Sequence, residues 1–241
     1  MSTLETKTIE PATGSTLTLG ASGDAVTMPA GVTVKTNTVK DAGGNTLWTS
    51  DGSGTLSSVN SRLGGGIVFI SSATASSSAS VEFTSGIDST YDEYMFVCTD
   101  IGPATNNSEF GFQVNVVGET GYNETVTSCF FSDWQLENDS SRGIGYHTDF
   151  DQAQGTSNVV LSRELGNGAD ESTAGILHLF TPSNTTYVTH FYSRFSGYVH
   201  DDAAKGSFVA GYFNVTGAID EIQFKMDSGN FDGTIAMYGI R

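Results

Sequence analysis

The chain has 241 residues and a formal charge of −17, set by 27 acids against 10 bases, with 15% of residues charged and 37% hydrophobic. A surface this negative repels phosphate backbones and anionic lipid, which argues against nucleic acid and bare membrane as partners. Thr, Ser, Val, Gly and aromatic residues dominate over Ala, Leu, Glu and Lys, which excludes a helical protein and predicts an all-β one.

Residues 1–65 carry only −1 of that charge (Lys7, Lys35, Lys40 and Arg62 against Glu5, Glu10, Asp24, Asp41 and Asp51), leaving −16 for the remainder. In this opening segment hydrophobic residues come singly between Thr, Ser and Gly. Leu17 and Leu19, Val26 and Met28, and Val32 and Val34 are spaced by two, so each pair faces one side of a short strand. Pro29-Ala30-Gly31, Asp41-Ala42-Gly43-Gly44 and Asp51-Gly52-Ser53-Gly54 separate them as turns. So few apolar side chains cannot offset the entropy of ordering the backbone. Order here requires surface from elsewhere, either identical chains wrapped about a threefold axis or a larger assembly. Residues 1–65 are therefore expected to form an intertwined attachment and trimerisation stalk. Leu4, Ile9, Leu17, Leu19, Val26 and Met28 are its expected packing residues.

The texture changes at Gly64-Gly65-Gly66, after which alternating apolar and polar runs continue to the end. Strands are predicted over 66–71, 79–83, 93–101, 109–117, 125–134, 159–163, 175–180, 187–195, 206–213, 221–226 and 234–240. Phe110, Phe112, Val114 and Val116 share one face, as do Tyr187, Thr189, Phe191, Ser193 and Phe195. Ile222, Phe224 and Met226 lie opposite Glu221, Gln223 and Lys225. Residues 66–241 are expected to form an antiparallel, jelly-roll-like β-sandwich large enough to bury its own core. Cys98 and Cys129 both sit inside predicted strands and read as buried free thiols. The start lacks a basic, then apolar, leader, and no run approaches the roughly 18–20 apolar residues of a membrane helix. A protein folded in a cytosol is expected.

Chemistry is sparsely signalled. The four histidines, His147, His178, His190 and His200, fit no catalytic motif, and His178 and His190 alternate with apolar neighbours as structural residues do. No nucleophile elbow, zinc helix or phosphate-cradling loop occurs. Asp149 and Asp151 lack the glycine and terminal Glu of a calcium loop. No enzyme activity, metal or cofactor is expected. Trp134, Tyr146, Tyr198 and His200 lie near predicted strand ends, where rings could stack on a saccharide and neighbouring carboxylates bind its hydroxyls. They are the candidate receptor contacts.

Several segments carry a resemblance. These are the opening Met1-Ser2-Thr3-Leu4, Thr8-Ile9-Glu10-Pro11 and Gly14–Gly20, then 86–94, 151–156, 177–183, 218–222 and 233–240. Together the chain resembles virion-associated proteins of marine bacteriophages that infect cyanobacteria and other ocean bacteria. That resemblance implies a virion component assembled in the host cytoplasm and displayed on the particle. The forms it implies are a homotrimeric fibre or short appendage, or a capsid decoration that cements the head. Other virion proteins (capsid, portal or tail adaptor) are the implied partners, and the aromatic candidates above add a host surface glycan. A carbohydrate-binding adhesin module is the alternative from another class. The resemblance carries over no catalytic or binding residue.

Overall fold

The computed structural model describes residues 36–53, 56–59 and 66–240, and among these every regular element is a strand. The chain divides into two compact units, Met1–Leu63 and Gly64–Arg241. Leu4, Ile9, Leu17, Leu19, Val26 and Met28, expected to carry attachment and trimer packing, lie outside the described residues.

In the first unit β1 (Thr38–Lys40), β2 (Thr46–Ser50) and β3 (Leu56–Val59) form a three-stranded antiparallel sheet. The β1–β2 connection follows from its sequence. The Asp41 carboxylate accepts the Asn45 N–H at 2.8 Å, and Gly44 turns the chain at a φ of +82°. Those Asn45 bonds hold the Asp41 carboxyl below its usual range.

The second unit contains thirteen strands in one antiparallel sheet. They are β4 (Ile67–Ser78), β5 (Val81–Phe83), β6 (Glu93–Pro103), β7 (Ser108–Val116), β8 (Val126–Leu136), β9 (Arg142–Tyr146) and β10 (Gln152–Gly155). β11 (Val159–Leu165), β12 (Thr173–Phe180), β13 (Thr189–Val199), β14 (Ala203–Phe213), β15 (Ile219–Met226) and β16 (Phe231–Ile240) complete the set. The main path runs β4-β16-β6-β12-β13-β11-β7-β15-β5. Its two end strands, β4 and β5, are separated in sequence by Ala79 and Ser80 alone, so the path returns to its start. The sheet is nearly barrel-shaped. A flange leaves it at β13, which pairs along its whole length with β14; β14 pairs with β8, and β8 carries β9 and β10.

Period-two alternation sends large rings inward from every wall. Phe224 lies 5.4 Å from Phe96, 6.0 Å from Phe110 and 6.2 Å from Phe112, and Phe112 meets Phe191 edge-on at 5.2 Å. Phe96, Phe110, Phe112 and Phe224 are fully buried. Aromatic pairs at these separations add to the stabilisation from burial itself. The buried Gln113 amide donates to the Glu124, Thr156 and Ser157 carbonyls, holding the connections before β8 and β11. Tyr94 is buried and its hydroxyl donates to the Asp88 carbonyl at 2.9 Å while accepting the Asp88 N–H at 2.8 Å. Burial pushes that hydroxyl up to about 12. Gly233, at a φ of +137°, bends β16 where its registers with β4 and β6 both slip; a Cβ there would sit 2.8 Å from the Asp100 carbonyl oxygen.

The eleven strands predicted beyond residue 65 all occur, most of them extended by one to several residues, and β9 and β10 are additional. Cys98 is buried as expected, but Cys129 is exposed. Residue 129 follows buried Ser128 and precedes buried Phe130, so the strand period turns it outward.

Candidate functional site

β11 shares one ladder pair with β13, Leu165 with Val199, and otherwise pairs with β7. β14 and β8 belong to the flange. A wedge therefore opens between β11 and the flange, and the chain fills it with charge. Along β11, Val159 and Leu161 point inward, then the register with β7 slips between Ser162 and Leu165. Glu164 sits in this irregularity at a φ of +58°, a conformation that non-glycine residues adopt rarely and mostly at bulges or functional positions. Arg163 and Leu165 both remain buried. On β14 the inward series is Ala203, Lys205, Ser207 and Val209.

Six bases lie beyond residue 65, and two of them, Arg163 and Lys205, are buried together here. Arg163 Nη1 pairs with Glu164 Oε1 at 2.7 Å. Its Nη2 donates to Ser132 Oγ at 3.1 Å and reaches His147 Nε2 at 3.3 Å, and its guanidinium lies 5.3 Å over the Phe150 ring. Lys205 Nζ donates to Glu164 Oε2 and to Asp201 Oδ1, the latter at 3.3 Å. One carboxylate thus joins two cations. The cationic side chains are 8% and 7% exposed, against 30% for Glu164 and 39% for Asp201. Cations form the base and carboxylates the mouth. Two cations and two acids leave the cluster neutral, which is the condition for burying it without large cost.

His147 completes the wedge. Ser132 Oγ is 2.8 Å from its Nε2. Burial first, and the Arg163 charge second, hold the imidazole below its usual pKa, so it stands neutral and Nε2 accepts. Arg163 Nε has no hydrogen-bond partner although the residue is 7% exposed. An unpaired buried donor costs free energy. The cleft measures about 380 Å³ and is walled by Trp134, Leu136, Ser141 and His147 above these charges.

The four receptor candidates are not brought together. Trp134 points inward and forms a wall of the cleft, its Nε1 donating to Ser141 Oγ at 3.2 Å. Its ring lies on Gly143, where a Cβ would approach within 2.7 Å, so only glycine fits. Tyr146 ends β9 on the outer face opposite Phe131, its hydroxyl donating to Asp151 at 2.6 Å. Tyr198 also faces outward, opposite Ala204, and donates to Asp202 at 3.3 Å. His200 follows β13 in the turn, its N–H donating to the Glu164 carbonyl at 3.2 Å. Sequence reasoning missed Arg163, Glu164 and Lys205. A signal existed: Val159-x-Leu161-x-Arg163-x-Leu165 and Ala203-x-Lys205-x-Ser207-x-Val209 each put a base in an inward series.

Phe150 also lines a second cleft of about 470 Å³ with Glu109, Tyr122, Asp149, Lys225 and Asp227. Burial, then the nearby Asp227, raises the Glu109 carboxyl. Among the described residues no group of three His, Cys, Asp or Glu side chains is placed to hold a metal ion. No helix of the described residues is long and apolar enough to cross a membrane.

Comparison with family models, curated proteins and solved structures found no match to this chain.

Proposed function

We propose that this chain is a structural protein of a bacteriophage virion, a trimeric fibre or short appendage held to the particle by residues 1–65. Residues 66–241 form the displayed knob, a jelly-roll-like β-sandwich that meets a neutral saccharide of the host surface. The support for the virion reading is the set of segments that carry the phage resemblance. Residues 177–183, 218–222 and 233–240 lie largely in β12, β15 and β16, and 86–94 holds the Tyr94–Asp88 pair.

The observation that carries saccharide recognition is the wedge above Arg163 and Lys205. Sugar hydroxyls both donate and accept. Here Glu164 and Asp201 offer acceptors at the mouth, and Trp134 supplies a ring beside them. The neutral total suits an uncharged ligand. The geometry fits binding better than chemistry, because Ser132, the hydroxyl beside His147, is fully buried and has no access to a substrate.

The full chain should bind neutral hexose or N-acetylhexosamine oligosaccharides on a printed array, and Asp201→Asn and Trp134→Phe should each weaken that binding at unchanged fold. An empty array, or signal indifferent to both substitutions, would remove the saccharide reading. Particles lacking the chain should adsorb poorly and keep their DNA on warming. Normal adsorption with early DNA loss would assign the chain to head stabilisation instead.

A further inference from the structure

The outward-facing side of the sheet holds the second feature that demands an occupant. In register across β16, β6, β12 and β13 run Tyr238, Met95, His178 and Tyr192. One step along the strands the row is Ala236, Val97, Ile176, Arg194, Phe208 and Phe131. Several of these rings already stack. His178 and Tyr192 are 4.5 Å apart, and Phe131 and Phe208 are 4.9 Å apart with planes 6° from parallel. Phe69 is 57% exposed, Tyr192 46% and Phe131 39%. Such rings stand in water on a domain whose charge is −16 once the −1 of residues 1–65 is set aside.

We propose that this face, from β4 across to β9, is where second-unit sheets of separate copies of this chain meet. Three physical arguments select a second copy. The first is charge. Within these rows and the adjoining row through Glu93, the fixed charges are that glutamate, bonded to His178, and Arg194, seated 5.3 Å over the Phe208 ring, with Asp133 and the Asp151 bonded to Tyr146 at the β8–β9 edge. Two molecules of −17 repel strongly unless they approach through a weakly charged surface, and this face is one. A basic partner would be drawn to the acidic surface elsewhere.

The second argument is size. Eight strands about 4.8 Å apart span roughly 34 Å, and three rows of side chains add about 20 Å in the other direction. The product along the curved sheet is at most roughly 700 Å², close to the about 800 Å² per partner of a stable interface. The third is shape. A partner must itself present a broad, weakly charged, ring-bearing sheet, and the same face of another copy does so by construction. A saccharide is better gathered by the concave wedge than by this face.

The chain carries its own reporter. Cys129 is exposed on this face beside Ala210, whereas the other cysteine, Cys98, is buried. Sedimentation of the full chain from about 1 to about 100 µM should show concentration-dependent association, with Cys129 reacting more slowly with a maleimide as copies assemble. Ile176→Glu and Phe131→Glu place acids at exposed positions in a row that has none, and each should weaken association by about tenfold or more with the thermal transition retained. Weakening in either variant, together with Cys129 protection in the native chain, supports the proposal. A chain that stays monomeric throughout overturns it. So does an oligomer whose Cys129 reacts as fast as in the dilute chain, since assembly then lies elsewhere. If both variants misfold, Cys129 protection in the native chain still decides.

Discussion

Both faces of the second-unit sheet carry aromatic rings, yet only one face is covered. Inside, Phe96, Phe110, Phe112 and Phe224 are fully buried. Outside, Phe69, Tyr192 and Phe131 form comparable ring clusters and remain open to solvent. An aromatic ring therefore does not by itself mark a core position in this chain. What distinguishes core from surface is which face another part of the sheet closes over. The same contrast applies to charge: the two most buried cations, Arg163 and Lys205, lie on the inner side, while the outer rows stay nearly neutral.

Substitutions can break this comparison. Phe224→Ala removes the ring at the centre of the core and should cost about 3–5 kcal/mol in urea unfolding. Tyr192→Ala, on the outer face, should cost under about 1 kcal/mol in dilute solution. Equal losses would mean that the outer face is covered even at low concentration.

The wedge comes next in size. Glu164→Gln leaves two buried cations without their shared carboxylate and should cost roughly 1–3 kcal/mol. Adding Arg163→Met and Lys205→Met to that variant should recover most of the loss, because an apolar replacement needs no counter-charge. A neutral Glu164→Gln would show that the carboxylate does not organise the site.

Titration sharpens the picture with smaller effects. His147 is neutral in the fold with its pKa below the ordinary 6.5. Its contribution is complete above that value and is lost as pH falls through the lowered one, so the melting temperature should drop from about pH 7 to about pH 5. His147→Gln should flatten that dependence. Glu109 has the opposite sign. Its pKa is raised above 4.5, so its contribution is complete below that value and disappears as pH rises through the raised one. Glu109→Gln should therefore melt slightly higher than the native chain at neutral pH and match it in acid.

Much of the strand pattern was legible because alternation is written locally. Ile222, Phe224 and Met226 are buried opposite Glu221, Gln223 and Lys225, as the spacing required. β9 and β10 were not legible. Arg142-Gly143-Ile144-Gly145-Tyr146 and Gln152-Ala153-Gln154-Gly155 lack a buried series, and they exist as strands because β8 offers an edge to pair with. The Trp134 wall depends on β9 as well, since Gly143 beneath the ring arrives through that pairing. Arg163 and Lys205 could have been flagged as bases in inward positions, but not as neighbours, because all of β12 and β13 lie between them in the chain.

Residue order alone settled the all-β class, the places of the long strands, the acidic surface and the side of each strand on which apolar groups gather. Those properties follow from composition and from a two-residue period, both local to the chain. Tertiary structure decided which gathered face is enclosed, that β11 parts from the flange to leave a wedge, and that one carboxylate meets two cations there. These depend on ladder pairings between distant segments and on where the curling sheet closes, which no single stretch of sequence encodes.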